Sequence, residues 1–350
     1  MFSARLGYFA QALAPVIVST NAVTEATDTS PYIHTWPWND TSGFGTKYSN
    51  PGTLPDSSGR CSGWNGNDQS VVGVGTDYGR RINVYPFDIS TGYGSKYSQP
   101  AVGPEANTLG ISWTTAADAV MVAQYSGNGV FAWPWDNSSG FGTKYTNPGS
   151  NATNSERGAF AYTDNAVGAG TANSPHINAW PWNTGTGFGT KYSNPGTLPS
   201  GYTVGFNFNR LGTAVGSGHF SQINFYPFNS STGYGTRYSN PGTVPGSYTT
   251  DLNWTYANDV VAMNAFGSPY IFAYPWDDTT GFGTKYADPG TNPGGGNYGG
   301  VDFTRSGAAV GSTGGSSMPH AYAWSSSGFG TKYSNPGTGA SGTGYGFRFN

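Results

Sequence analysis

The chain has 350 residues, of which only 9% are Asp, Glu, Lys or Arg, while 16% are Phe, Trp or Tyr and 55 are glycine. A charged share so far below the roughly 25% of ordinary domains, with so many aromatics, excludes a disordered chain. A net charge of −3 gives no broad electrostatic case for nucleic acid or an anionic membrane. The one cysteine, Cys61, rules out an internal disulfide and a four-cysteine metal site. No stretch approaches the ~20 apolar residues of a membrane helix, so membrane insertion is not expected.

At the amino terminus, Arg5 precedes a fairly apolar run, Leu6 to Val18. The run resembles a short signal peptide, but Gln11 and Pro15 interrupt it and no clean cleavage site follows. Residues 1–14 are read as an arm and 15–350 as a single domain. The first strands then follow: Val23 to Ala26, Ile33 to Trp38 and Phe44 to Tyr48.

The last of these belongs to Gly43-Phe44-Gly45-Thr46-Lys47-Tyr48-Ser49-Asn50-Pro51, which returns nearly unchanged from Gly92, Gly140, Gly187, Gly233, Gly281 and Gly328. A repeat this steady over a whole chain decides the architecture before any local reading. The third unit shows its content. Ile111-Ser112-Trp113-Thr114 alternates, Ala119 to Ala123 is a buried strand, Val130 to Trp135 a third and Phe141 to Tyr145 a fourth, with Gly, Asn, Asp and Ser turns between. Four short strands per unit is the content of a propeller blade. The expected fold is therefore an all-β, seven-bladed propeller, with fourth strands near 44–48, 93–97, 141–145, 188–192, 234–238, 282–286 and 329–333.

Each first strand carries one large ring (Trp64, Trp113, Phe160, Phe208, Trp254, Phe303) suited to filling the wedge between blades. Each third strand but the last ends in aromatic-Pro-aromatic, as in Trp36-Pro37-Trp38. The proline has no ladder donor and marks a strand end or bulge. An Asp or Asn then suits a turn closed by its own side chain. The seventh unit has Tyr322-Ala323-Trp324 instead, with a shorter loop after it. At the carboxyl terminus, Gly346 to Asn350 copies Gly205 to Asn209 and has no blade of its own. It is expected to join the amino-terminal blade and close the ring, since closure removes exposed strand edges. Val16-Ile17-Val18 is the competing candidate for that inner strand.

Chemistry is harder to find. Lys47, Lys96, Lys144, Lys191, Arg237, Lys285 and Lys332 form a repeated basic ring, which reads better as protection of outer strand edges than as an anion-binding girdle. The four histidines do not converge in the repeat, so no metal or other cofactor is expected. No pair of carboxylates at a repeated slot marks a catalytic acid and base, and no phosphate loop or nucleophile elbow occurs. The loops between second and third strands, and those between units, vary most. They share one face, which is the expected binding face. Its candidate residues are Tyr32, Tyr78, Tyr125, His176, Phe220, Tyr270 and His320.

Ser30-Pro31-Tyr32-Ile33 leading to Trp36-Pro37-Trp38, and then the Gly43 to Pro51 motif, resembles a propeller repeat of tailed-bacteriophage proteins. It is also similar in strand order to WD-like and YVTN-type propellers, without the literal Trp-Asp signature. The resemblance implies a non-enzymatic virion protein, a decoration, fibre or adhesion module. Its partners would be other virion proteins or a host-surface glycan or protein, with no nucleic acid. A lectin using the variable face is the alternative, and a glycan-degrading enzyme a more distant one.

Overall fold

A computed structural model describes residues 22–350 except 80, 128, 150–151, 295–297 and 315. The arm at 1–14 and the Val16–Val18 strand lie outside these residues. The described residues contain no helix; they form seven four-stranded antiparallel sheets, the blades of a propeller. Blade 2 is typical: Gly59–Trp64, Val71–Thr76, Ile82–Asp88 and Gly92–Tyr93 pair in that order from the axis outward.

Blade 1 is built from both ends of the described chain. Its strands are Gly344–Phe349, Ala22–Thr27, Ile33–Asn39 and Gly43–Phe44. Val23 lies opposite Phe349 and Glu25 opposite Phe347. Asn350 extends the seam: its N–H donates to the Ala22 carbonyl at 3.0 Å, and its Oδ1 accepts from the Ala22 N–H at 2.6 Å. The carboxyl-terminal strand thus closes the ring, as the repeat arithmetic predicts.

The repeated aromatics explain how blades hold together. Trp38 is met edge-on by three rings: Phe44 of its own fourth strand, Phe349 of its inner strand and Tyr333 of the preceding blade, each with centroids 4.9–5.1 Å away. Phe87 is surrounded in the same way by Tyr48, Trp64 and Tyr93. Among the described residues, six of the seven such tyrosines, all but Tyr286, also donate the hydroxyl to a turn carbonyl of the next blade, as Tyr238 does to Asp278 at 2.5 Å. Gly43 must be glycine for this tyrosine to fit: its φ is +79°, and a Cβ there would stand 3.0 Å from the Tyr333 ring.

The first aromatic of the aromatic-Pro-aromatic slot is always Trp or Tyr and never Phe. It needs a donor. Trp36 Nε1 reaches the Thr338 carbonyl at 3.0 Å and Tyr85 Oη the Thr53 carbonyl at 3.0 Å. The same bond recurs from Trp133, Tyr226, Tyr274 and Tyr322, whereas Trp180 Nε1 has no partner among the described residues. Where the bond forms, the buried ring is satisfied at its polar end. The predicted side-chain turn is also present: Asp88 Oδ1 accepts from the Ser90 and Thr91 N–H groups at 2.8 and 3.0 Å.

The fourth strands differ from expectation. Regular pairing covers only two residues per blade, as at Gly43–Phe44, instead of the five at 44–48. Pro37 offers no N–H to continue the ladder. The chain keeps one bond each way past it, Gly45 N–H to Pro37 O at 2.8 Å and Tyr48 N–H to Thr35 O at 3.0 Å, with one extra residue between. Blade 7 is the internal control. With Ala323 in the proline slot, its fourth strand runs from Gly328 to Lys332.

The closing seam buries one unusual group. Glu25 is fully buried, and neither carboxyl oxygen has a hydrogen-bond partner among the described residues. Burial pushes its carboxyl well above the ordinary value of 4.5. The folded chain therefore holds this proton to higher pH than the unfolded chain. The associated stability is complete below 4.5 and is lost as pH rises through the folded value. Replacing Glu25 by Gln should therefore stabilise the protein at pH 8, read as a higher urea midpoint. At pH 4 the gain should vanish; equal denaturation midpoints at pH 8 would refute this account. Phe347, fully buried, fits because a Cβ on Gly311 would stand 2.3 Å from its ring. Phe347→Ala should cost about 3–5 kcal/mol in urea denaturation, and a loss below 1 kcal/mol (roughly, well under that range) would mean that the seam does not hold the ring.

Candidate functional site

The seven inner strands run along the axis, and the residue just before each wedge aromatic faces the channel. These residues are Gly63, Ser112, Ala159, Asn207, Asn253, Asp302 and Arg348, and all seven line one axial pocket of about 120 Å³. The strands place small residues there in blades 2–4 and larger polar ones in blades 5, 6, 7 and 1. The pocket is therefore lopsided although the ring is regular.

Four arginines line it: Arg157, Arg210, Arg305 and Arg348. Two carboxylates, Asp251 and Asp302, partly offset them. Arg348 is gripped by Asp251, with Nη1 to Oδ2 at 2.5 Å and Nη2 to Oδ1 at 3.3 Å. Asp251 also accepts the Val301 N–H at 3.0 Å, and the ion pair raises the already high pKa of Arg348 against the opposing effect of burial. Asp302 Oδ1 takes Asn253 Nδ2 at 2.7 Å and the Phe303 N–H at 2.9 Å, while Oδ2 takes the Phe349 N–H at 3.0 Å. Burial lifts the Asp302 carboxyl to about 6, although Arg348 and Arg210 pull it down. Near neutral pH this carboxyl can give or take a proton.

Arg157 forms the floor. It reaches across the ring and donates to the carbonyls of Leu109, Tyr298 and Tyr345 at 2.8, 3.0 and 2.9 Å. At the mouth, the Arg210 guanidinium is sandwiched between Tyr162 and Tyr256, 4.2 and 3.9 Å from their ring centroids. Its Nη2 is 3.7 Å from Asp302 Oδ1. Arg305 Cζ lies 5.5 Å from the Tyr256 ring centroid, its Nη2 donates to the Gly66 carbonyl at 3.0 Å, and its buried Nε has no hydrogen-bond partner among the described residues. The two tyrosine rings hold the Arg210 guanidinium, and the Arg305 Nε–H remains for a ligand. Four cations against two carboxylates in a partly desolvated pocket make an anion site. No group of three or more His, Cys, Asp or Glu converges to hold a metal among the described residues.

The residues expected on the variable face lie elsewhere. Tyr78, Tyr125 and Phe220 are 67%, 45% and 58% exposed on separate loops. Tyr32, His176 and Tyr270 are half-buried turn residues at positive φ (69°, 65° and 67°). His320 is buried, and burial followed by Lys332 lowers it to about 4. No ring contact joins any two of the seven, and none lines the axial pocket. The pocket mouth is made of turns between first and second strands, on the face opposite those loops. The basic ring packs locally: Lys47, Lys144 and Lys191 each donate to the Asn three residues on, at 2.7, 2.5 and 2.8 Å. Arg237 instead bonds Asn224 at 2.7 Å, Lys96 bonds Asp56 at 3.2 Å, and Lys285 and Lys332 bond Asp288 and Asn335.

Sequence reasoning passed over the four arginines because none recurs in every unit, although Arg210 and Arg305 each stand two residues after a wedge aromatic. The signal was nonetheless there: Asp302 and Arg348 occupy slots that hold Gly63, Ser112 and Ala159 in other units.

No protein-family model and no curated protein matches the sequence. Solved structures match the fold. A proposed 6-phosphogluconolactonase from Bacteroides fragilis superposes with a TM-score of 0.70 at 12% identity, covering 94% of this chain and 98% of its own. The periplasmic gluconolactonase of Pseudomonas aeruginosa gives 0.67 at 12%, covering 94% and 99%. The propeller domain of Myceliophteria thermophila Swd1 gives 0.56 at 12%, covering 80% and 87%. At this identity the likeness establishes the propeller fold.

These neighbours also correct the expectation of a non-enzymatic virion module, and with it the lectin alternative. Two of them are named as enzymes, and none of the three is a phage protein. The physical reason is that the repeat motif builds blades, whereas the charged groups on the axis are set by residues outside the motif.

An anion should stabilise the folded chain. Inorganic phosphate at a hundredfold excess over its Kd should add about 2.7 kcal/mol, read as a rise in Tm. Arg305→Ala and Arg210→Ala should each reduce that rise. A Tm indifferent to phosphate would refute the anion site.

Proposed function

We propose that the protein is an enzyme that hydrolyses the lactone of a small anionic sugar acid bound in the axial pocket. The observation that carries this reading is the excess of arginine over carboxylate around a pocket of about 120 Å³. That space accepts one anionic group and part of a sugar and is too small for a macromolecular segment. The names of the two gluconolactonase neighbours support the reaction class.

Arg210 and Arg305 at the mouth hold the phosphate or carboxylate of the substrate. Arg348, fixed by Asp251, faces the lactone carbonyl and stabilises the oxyanion. Asp302 in its ionised form takes a proton from water as the water oxygen bonds to the carbonyl carbon. Collapse of the tetrahedral intermediate breaks the bond to the ring oxygen. That oxygen leaves with the proton, giving a hydroxy acid.

The test follows acid release from 6-phosphogluconolactone and gluconolactone above the spontaneous rate. Asp302→Asn should lower kcat on the order of 10²–10⁴-fold and leave phosphate stabilisation intact. Because Asp302 must be ionised, the wild-type rate should fall as pH drops through about 6. A rate equal to the uncatalysed one with both lactones would overturn the reading.

A further inference from the structure

Blade 7 carries the one shortened turn between third and fourth strands, three residues (Ser325 to Ser327) where the other blades have four. In blades 1, 3, 5 and 6 the side chain of the second residue of this turn ties back to the preceding blade. Asp40 accepts from Ser306 Oγ at 2.6 Å, Asn137 accepts from Asn65 Nδ2 at 3.1 Å, and Asp278 accepts from Asn209 Nδ2 at 2.9 Å. In blade 7 the first and third residues of the turn bond each other, Ser325 Oγ to Ser327 Oγ at 2.8 Å, and no bond ties the second, Ser326, to blade 6 among the described residues. The tie to blade 6 is replaced by a groove of about 330 Å³ between the two blades.

The groove and the axial pocket share a wall, Tyr256 and Arg305. The rest of the groove offers Tyr286, Trp324, Ser325, Ser326 and Asp259. Flat rings beside hydroxyls and one carboxylate suit an uncharged, hydroxyl-rich ring, and suit a second anion poorly. A ligand whose anionic part sits at Arg305 has this groove as the direct continuation of its site.

We infer that the groove is a second subsite of the axial site and takes a neutral sugar joined to the anionic one. The substrate is then the lactone of a sugar acid bearing at least one further sugar ring. This inference rests on the reading of the axial pocket as a sugar-acid site, and it is independent of whether hydrolysis occurs there.

Calorimetric titration with two product-like acids tests it. Gluconate has the acid alone; lactobionate adds one neutral galactose ring. Lactobionate should bind about tenfold tighter or more, the worth of one well-formed subsite. Ser326→Trp, which fills the groove, should bring lactobionate down to the gluconate level and leave gluconate unchanged. Retained gluconate binding shows that the variant is folded, and the milder Ser326→Gln should give an intermediate loss. Equal affinities in the wild type, or no effect of either substitution, would overturn the subsite. If neither acid binds, both this inference and the sugar-acid reading fail. If the lactobionate preference holds but no lactone is turned over, the subsite stands and the hydrolase reading alone fails.

Discussion

Each blade is clamped to the next by a tyrosine from its fourth-strand motif, and the ring depends on that contact. Tyr333 reaches over Gly43, packs edge-on against Trp38 and donates its hydroxyl to the Asp40 carbonyl. The contact uses a glycine at positive φ and a large aromatic, which in six blades follows a proline. Blade 7 keeps the contact with Ala323 in the proline slot, as Tyr286 packs edge-on against Trp324 over Gly328. Aromatic edge-to-face pairs contribute about 0.5–1.5 kcal/mol beyond area burial, and here they recur around the ring. Such packing replaces the ion pairs that most surfaces carry, and so few charges suffice.

A chain this poor in charge makes its axial cluster conspicuous. Four of its basic groups converge on one pocket, against a net charge of −3 overall. Burying guanidinium groups is costly unless they are paired or stacked. Asp251 pairs Arg348, three carbonyls hold Arg157 and two tyrosines sandwich Arg210. Of the four arginines, Arg305 alone has a buried N–H without a partner among the described residues. The rigid ring keeps these groups apart and oriented, a preorganisation that anion recognition and oxyanion stabilisation both require.

Departures from the repeat give the ring its irregular features. The absence of proline in unit seven lengthens one fourth strand, and the missing turn residue opens one groove beside the arginine pocket. Tyr78 and Phe220 are exposed on loops that vary and do not line the axial pocket. The fourth-strand length was also misjudged from sequence, because the effect of Pro37 on the ladder is felt on the neighbouring strand.

The number of blades, the order of their strands, the wedge aromatics and the closure by Gly344–Phe349 were all legible in the sequence. Each follows from local periodicity and from counting residues between recurring slots. The axial pocket was not. Arg157 from blade 4 meets carbonyls near blades 3, 7 and 1, and Arg348 from blade 1 meets Asp251 from blade 6. Those residues are separated by tens to hundreds of positions and share no motif. Only the closing of the ring brings inner strands from opposite sides to one axis, and only there do isolated charges become a site.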